Sequence, residues 1–156
     1  MTDQRIGMGF DVHAFGGEGP LVLGGVIFEG ATGLVGHSDA DVVAHAVADA
    51  LLGAAGLGDI GGHFPDTDSR WRGADSLTLL AHVVELVQAE GWSIGNVDTT
   101  VVLEAPKLAP HKAAMEEHLA GVVGAPVSVK AKRAEGLGAL GRGEGVACFA
   151  VALLLR

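Results

Sequence analysis

The chain has 156 residues, of which 49% are hydrophobic and 4% aromatic, with 25 glycines and no tyrosine. This length predicts one domain over residues 1–156, with a core built from Ala, Val, Leu and Ile. The formal net charge of −9 argues against sequence-independent nucleic-acid binding, because such binding requires a basic surface.

Cysteine content and hydropathy predict the location of the protein. A single cysteine, Cys148, excludes an internal disulfide framework and indicates a reducing, cytoplasmic location. The N-terminal residues lack the basic and apolar regions of a signal peptide. The apolar run that includes 149–155 is much shorter than the roughly 18–20 residues of a membrane span, so we expect no membrane association.

Hydrophobic periodicity predicts strands and helices that alternate along the chain. Glycine- and proline-rich segments predict a turn at 16–20 and loops at 59–68 and 133–145. Strands are predicted at 5–14, 96–105, 127–132 and 146–155, a hairpin or two short strands at 21–30, and helices after an N-cap at Ser38, at 75–90 and at 110–121. This is the pattern of an α/β or α+β sandwich, and we expect the latter, in two layers, with helices on one face of the sheet.

Three residues of the first strand and first helix could hold a metal ion. Asp11 and His13 are two residues apart, so they project from the same face of a strand. His45 lies on the helix, in a polar series with Asp41 and Asp49. Two imidazoles, one carboxylate and an open position are typical of catalytic zinc, and Asp49 or Asp41 could hold the far ring nitrogen of His45. The alternative is a set of surface or internally satisfied polar residues.

Three other segments carry groups suited to a phosphorylated ligand. His37 and Ser38 precede a helix whose N-terminus could accept phosphate, although Ser38 could simply cap that helix. Carboxylates in the loop 59–68 could accept hydrogen bonds from a polyol, or could be solvated turn residues. Around Lys107, a proline-stiffened loop could frame a flat base. Cations at the end of the 127–132 strand could clamp phosphate beside a magnesium-binding Glu135, or could be ordinary strand-end charges.

Six blocks in this order resemble the family of 2-C-methyl-D-erythritol 2,4-cyclodiphosphate synthases, enzymes of the non-mevalonate isoprenoid pathway. They are GFDVHAF, HSDADVVAHAVADALLGAAGLGDIG, FPDTD, GNVD, EAPKLAPH and GRGEG. Each block is weakly specific by itself, but the ordered set covers nearly the whole chain and is strongly specific.

The resemblance implies a phosphorus–oxygen lyase. Its substrate would be 4-diphosphocytidyl-2-C-methyl-D-erythritol 2-phosphate, and its products 2-C-methyl-D-erythritol 2,4-cyclodiphosphate and CMP. A divalent metal, usually zinc, would bind Asp11, His13 and His45, and Glu135 would help to hold Mg²⁺ or Mn²⁺ on the diphosphate. The resemblance also implies a homotrimer with sites between subunits, in which His37 stabilises the transition state.

The resemblance further implies which residues bind the substrate. The segment around the methylerythritol and its phosphate comprises Ser38, Asp59, Ile60, Gly61, Phe64, Pro65, Asp66, Thr67 and Asp68. The wall of the cytidine pocket and the adjoining strand end comprise Leu103, Pro106, Lys107, Leu108, Ala109, Ala131 and Lys132. Arg142 and Glu144 match residues that line a cavity on the threefold axis, where family members hold isoprenoid-like phosphates.

The chain departs from the family pattern at three positions. Lys132 and Arg133 stand where the family commonly has two threonines, the second with a transition-state role, so Arg133 is the expected catalytic replacement. Ala139 stands where an aromatic residue often faces the central cavity. Two other functions remain open: a zinc-dependent hydrolase that cuts the diphosphate with water, and a non-catalytic trimer that binds metal and phosphate.

Overall fold

A computed structural model describes residues 2–156 and confirms the α+β class. Five strands form one mixed sheet in the order β2-β1-β5-β3-β4, in which β3 and β4 run parallel and the other neighbours antiparallel. The strands are β1 (Gln4–Leu23), β2 (Val26–Leu34), β3 (Ser93–Val102), β4 (Val127–Lys132) and β5 (Gly145–Leu155).

The helices form a second layer on one face of this sheet. They are α1 (Val42–Ala55), α2 (Ile60–His63), α3 (Ser76–Ala89), α4 (Lys112–Val123) and α5 (Gly138–Gly141), with a 3₁₀ turn at Ser69–Trp71. Helix α1 packs on β1 and β5, α4 packs on β4, and α3 packs against α1 and α4. Every helix in residues 2–156 is too short or too polar to span a bilayer.

Glycine-rich segments depart from the sequence prediction. The predicted turn at 16–20 lies within β1, which continues past it because irregular register against β2 absorbs the extra residues between Phe15 and Leu21. The predicted loops at 59–68 and 133–145 contain the short helices α2 and α5. Strand pairing and packing against distant segments determine the secondary structure of these residues. Local composition does not predict such contacts.

The predicted N-cap at Ser38 is also wrong, because Asp41 caps α1. The Asp41 carboxylate is fully buried and accepts hydrogen bonds from the backbone N–H groups of Val43 (3.1 Å) and Ala44 (3.2 Å). It also accepts from Gly24 (2.9 Å) and Gly25 (2.7 Å) in the turn between β1 and β2. Burial raises the pKa of Asp41, and the hydrogen bonds from Gly25, Gly24 and Ala44 oppose that rise.

The two faces of β1 have opposite character. On the inner face, a Cβ atom at Gly7 or Gly9 would overlap the carbonyl oxygens of Ala50 or Ala46, so α1 lies directly against bare strand backbone. The outer face, together with that of β5, is apolar and exposed. This surface, called the apolar strip below, consists of Ile6, Met8, Phe10, Val12, Phe149 and Val151.

Candidate metal centre and substrate clefts

The glycine contact between β1 and α1 brings Asp11, His13 and His45 together, as the sequence predicts. One donor atom from each residue lies within 4.8 Å of the other two. Asp11 Oδ2 lies 2.9 Å from His13 Nε2 and 3.1 Å from His45 Nδ1. The strand alternation supplies two of these side chains and one helix position supplies the third.

Hydrogen bonds to the far ring nitrogens determine which atoms face the centre. His13 Nδ1 lies 2.7 Å from the carbonyl oxygen of Val35, so this nitrogen carries the hydrogen and Nε2 is left with a lone pair. His45 Nε2 lies 2.8 Å from the hydroxyl of Ser76. With a neutral His13 ring, its Nε2 lone pair faces the Asp11 carboxylate, and His45 directs Nδ1 at the same oxygen. Three convergent acceptors of this type fit a divalent cation such as zinc.

The charges of the cluster also suit a metal. Burial raises the pKa of Asp11, but its contacts with His13 and His45 outweigh this effect and lower the pKa to about 2. The contact with Asp11 raises the pKa of His13, because a protonated ring can donate from Nε2 to this carboxylate. Asp11 is therefore ionised at neutral pH, as a ligand carboxylate must be.

His13 and His45 line a cavity of about 290 Å³, called the metal cleft below. Predicted substrate residues on its wall are His37, Ser38, Ile60, Gly61, Phe64 and Asp66. Trp71, which the sequence analysis missed, also lines it and packs edge-to-face on Phe64 with ring centroids 4.9 Å apart. A tryptophan within a polar loop was the available signal for this contact.

Other carboxylates of the segment 59–68 make local contacts. Asp59 caps α2 by accepting from the N–H of Gly62 at 2.9 Å. Asp68 pairs with Arg70 at 2.6 Å, and this contact lowers the pKa of Asp68. The backbone carbonyl of Asp68 accepts from His37 Nε2 at 3.1 Å, which fixes the His37 ring at the cleft wall. The predicted residues Pro65 and Thr67 lie in the same loop.

Asp49, expected to hold the far nitrogen of His45, accepts instead from the N–H of Ile60 at 2.7 Å. Burial raises the pKa of Asp49, because its charged form loses solvation. The carboxylate of Asp41, the other candidate, accepts hydrogen bonds from the first turn of α1. The Ser76 hydroxyl contacts His45 Nε2 instead. Residue spacing does not predict this contact, because it does not reveal that α3 begins beside α1.

A second cavity of about 250 Å³, called the second cleft below, is lined by the other group of predicted residues. They are Leu103, Pro106, Lys107, Leu108, Ala109, Ala131, Lys132 and Arg133. Arg133 donates to Glu104 at 2.8 Å, which lowers the pKa of Glu104, and the same carboxylate accepts from the N–H of Ala134. Glu104 thus anchors Arg133, a role that the sequence analysis did not assign.

Glu135 and Arg142 lie outside the walls of both clefts within residues 2–156. The Glu135 backbone has φ = 54°, in the left-handed region that residues with a Cβ atom seldom adopt and that recurs at functional sites. Arg142 pairs with Glu144 at 2.6 Å on the surface. Their predicted roles remain predictions.

Comparison with known proteins gives the family. The sequence profile of the YgbB family matches residues 4–155. The chain belongs to this family. A relative from Pseudoalteromonas atlantica, named 2-C-methyl-D-erythritol 2,4-cyclodiphosphate synthase, is 56% identical over 96% of this chain and 94% of its own length.

Solved structures of the family have the same fold. The bifunctional IspDF from Campylobacter jejuni matches with a TM-score of 0.96 and 42% identity, over 100% of this chain but only 43% of its own. A CDP-bound 2C-methyl-D-erythritol-2,4-cyclodiphosphate synthase matches with a TM-score of 0.87 and 40% identity, over 96% of this chain and 99% of its own.

Proposed function

We propose that this protein converts 4-diphosphocytidyl-2-C-methyl-D-erythritol 2-phosphate to 2-C-methyl-D-erythritol 2,4-cyclodiphosphate with release of CMP. The observation that carries the proposal is the convergence of Asp11, His13 and His45 beside a cleft that the two histidines and predicted substrate residues line. Family membership and the names of relatives over 50% identical support the same activity.

In this reaction a 2-phosphate oxygen attacks the β-phosphorus, a new P–O bond closes the ring, and the bond to the CMP oxygen breaks. The nucleophile is already ionised at neutral pH, so no general base is required. Phosphoryl transfer depends mostly on positioning and on electrostatic stabilisation. A divalent metal held by the three ligands, zinc in our proposal, would neutralise phosphoryl charge at the reacting end.

In our proposal, each of the two clefts binds a different part of the substrate. His37 and Ser38 stand at the wall of the metal cleft and would contact the phosphate and the erythritol portion. The second cleft would take the cytidylyl part, a proposal supported by the CDP-bound relative. Arg133 would stabilise negative charge on the leaving group, with Lys107 and Lys132 beside it. Orientation across both clefts can contribute about 7–11 kcal/mol in favourable cases.

The proposed assembly is a homotrimer in which the apolar strip is buried between subunits. Six exposed hydrophobic side chains on two adjacent strands form a contiguous surface of the kind that marks protein interfaces. Each complete site would then combine the metal cleft of one subunit with the second cleft of its neighbour. Glu135 would help to hold Mg²⁺ or Mn²⁺ on the diphosphate. Arg142 would border a central cavity open to an isoprenoid phosphate.

Phosphorus NMR of the purified protein with the cytidylyl substrate, zinc and magnesium tests the proposed reaction. We expect CMP and a cyclic diphosphate to appear together. CMP with a linear bisphosphate would instead mean that water is the nucleophile and that the protein is a hydrolase. An unchanged spectrum from zinc-loaded protein would mean that the protein binds metal and phosphate without catalysing a reaction.

A cytoplasmic location stays part of the proposal, since the one cysteine, Cys148, is buried and free.

A further inference from the structure

His45 is held by side chains on its far side. Its Nε2 atom lies 2.8 Å from the Ser76 hydroxyl and 3.2 Å from the Ser38 hydroxyl, while Nδ1 faces Asp11 at 3.1 Å. A neutral imidazole carries one hydrogen, so the ring presents a lone pair to a metal through Nδ1 only when Nε2 bears that hydrogen. Asp11 favours the opposite tautomer, because its carboxylate can accept a hydrogen bond from Nδ1–H.

The Ser76 hydroxyl has one hydrogen, and Asp39 determines where it points. Ser76 Oγ contacts Asp39 Oδ1, and the Ser76 N–H donates to Asp39 Oδ2 at 3.1 Å. A carboxylate only accepts, so the hydroxyl must donate to Asp39. The lone pairs of Ser76 Oγ then face His45 Nε2. The Ser38 hydroxyl does not decide the tautomer, because it can donate or accept.

His13 offers an internal contrast. Its Nδ1–H donates to the Val35 carbonyl at 2.7 Å, and a backbone carbonyl can only accept. The tautomer of His13 is therefore fixed by the main chain. The tautomer of His45 depends instead on two side chains, Asp39 in the segment before α1 and Ser76 at the start of α3.

We propose that Asp39 and Ser76 are positioning residues that set the Nε2–H tautomer of His45 and direct its Nδ1 lone pair to the metal. This inference rests on the proposed metal site and adds two residues to it. Without Asp39 the Ser76 hydroxyl is free to donate to Nε2, which favours the tautomer that cannot bind metal through Nδ1. Residues of this type typically change metal affinity by about 10–100-fold.

Two measurements on the full-length protein test the role of this pair. The first is a long-range proton–nitrogen spectrum of histidine-labelled, metal-free protein at alkaline pH, where the rings are neutral. The second is the zinc dissociation constant, measured by competition with a chromophoric chelator. For Asp39→Ala we expect the His45 hydrogen to move to Nδ1 and zinc binding to weaken by about 10–100-fold. For Ser76→Ala we expect a smaller loss, because Ser38 can still accept from Nε2, and Ser76→Thr should restore affinity.

Asp75→Asn is the matched control, because Asp75 caps the same helix end through Leu77 and Thr78 without touching His45. It removes a carboxylate charge from this helix end, and should leave the tautomer and the zinc affinity unchanged, because asparagine can still cap the helix. An unchanged tautomer and affinity in Asp39→Ala would overturn the inference, as would equal affinity losses in Asp75→Asn. Both readouts are independent of turnover, so absence of a cyclic product in the wild type would refute the proposed function and leave this inference intact.

Discussion

The metal cleft and the second cleft are built in different ways. In the metal cleft, the Asp11, His13 and His45 side chains are only 25%, 20% and 13% exposed, and each is held by neighbours in its own chain. In the second cleft, the Arg133 side chain is 68% exposed and held by one carboxylate. The first is organised before a ligand arrives. The second is open, as expected of a surface that a neighbouring subunit completes.

The largest effect should come from removing one ligand of the metal cleft. We expect His13→Ala to lose zinc and to lower kcat by about 10³-fold, because metal binding supplies several kcal/mol of charge stabilisation. Metal analysis, steady-state kinetics and circular dichroism would show an inactive but folded protein. His118→Ala removes an exposed imidazole on α4, outside both clefts, and should leave zinc content and kcat unchanged. Full kcat in metal-depleted buffer would contradict the metal mechanism.

The apolar strip tests whether the two clefts must come from different subunits. Met8→Glu places a carboxylate in the proposed interface, where burying an unpaired charge costs several kcal/mol. We expect sedimentation to show monomers and activity to fall at least about 100-fold, while zinc binding persists. Leu86→Glu, on the exposed side of α3, is the control. A fully active monomer would mean that one chain holds the whole site.

Subunit mixing gives a sharper version of this test. His13→Ala disables the metal cleft, and Arg133→Glu should disable the second cleft by repelling the substrate phosphates. Coexpression of the two variants should restore about a quarter of wild-type activity, because one interface in four would join two intact clefts. No recovery in isolated mixed trimers would place both clefts of a site in one subunit.

A smaller effect, on stability, follows from the contact between β1 and α1. Gly9→Ala forces α1 away from the strand and should destabilise the protein by about 1–3 kcal/mol, since overpacking strains a tight core. It should also weaken zinc binding, because α1 carries His45. Gly53→Ala adds the same methyl group to α1 where residues 2–156 leave open space, and should be neutral or slightly stabilising. Similar unfolding curves for both variants would contradict this account.

The smallest effect is expected from a substitution in the second cleft. Lys107 is exposed there, so we expect Lys107→Ala to raise KM by about tenfold and to change kcat less than about twofold. Steady-state kinetics with Lys112→Ala, a surface lysine of α4, as control would test this separation. Equal losses in kcat would show that Lys107 acts on ring closure.

Regular periodicity made the metal ligands predictable. Alternation along β1 put Asp11 and His13 on one face, and the dense apolar series of α1 placed His45 on a helix. Their meeting follows from Gly7 and Gly9, whose positions are visible in the sequence but whose contact with α1 is a tertiary fact. The residues of the second cleft came mostly from family resemblance, because exposed loop positions have no periodic signal.

Sequence patterns mispredict polar side chains whose hydrogen-bond partners are distant along the chain. Ser38 has good capping chemistry, yet Asp41 caps α1 because its carboxylate also satisfies two N–H groups of the β1–β2 turn. Asp49 has helical spacing from His45, but the N–H of Ile60 takes its carboxylate. In both cases the partner is a backbone group brought near by folding, which side-chain spacing does not report.

The buried Asp41 carboxylate also bears on the order of folding. One side chain terminates two hydrogen-bond systems, the start of α1 and the turn of the β1–β2 hairpin, so neither is fully satisfied before the other forms. We expect amide protection of Gly24, Gly25, Val43 and Ala44 to appear in a single kinetic step. The hairpin and the helix that carries His45 would then fold as one cooperative unit.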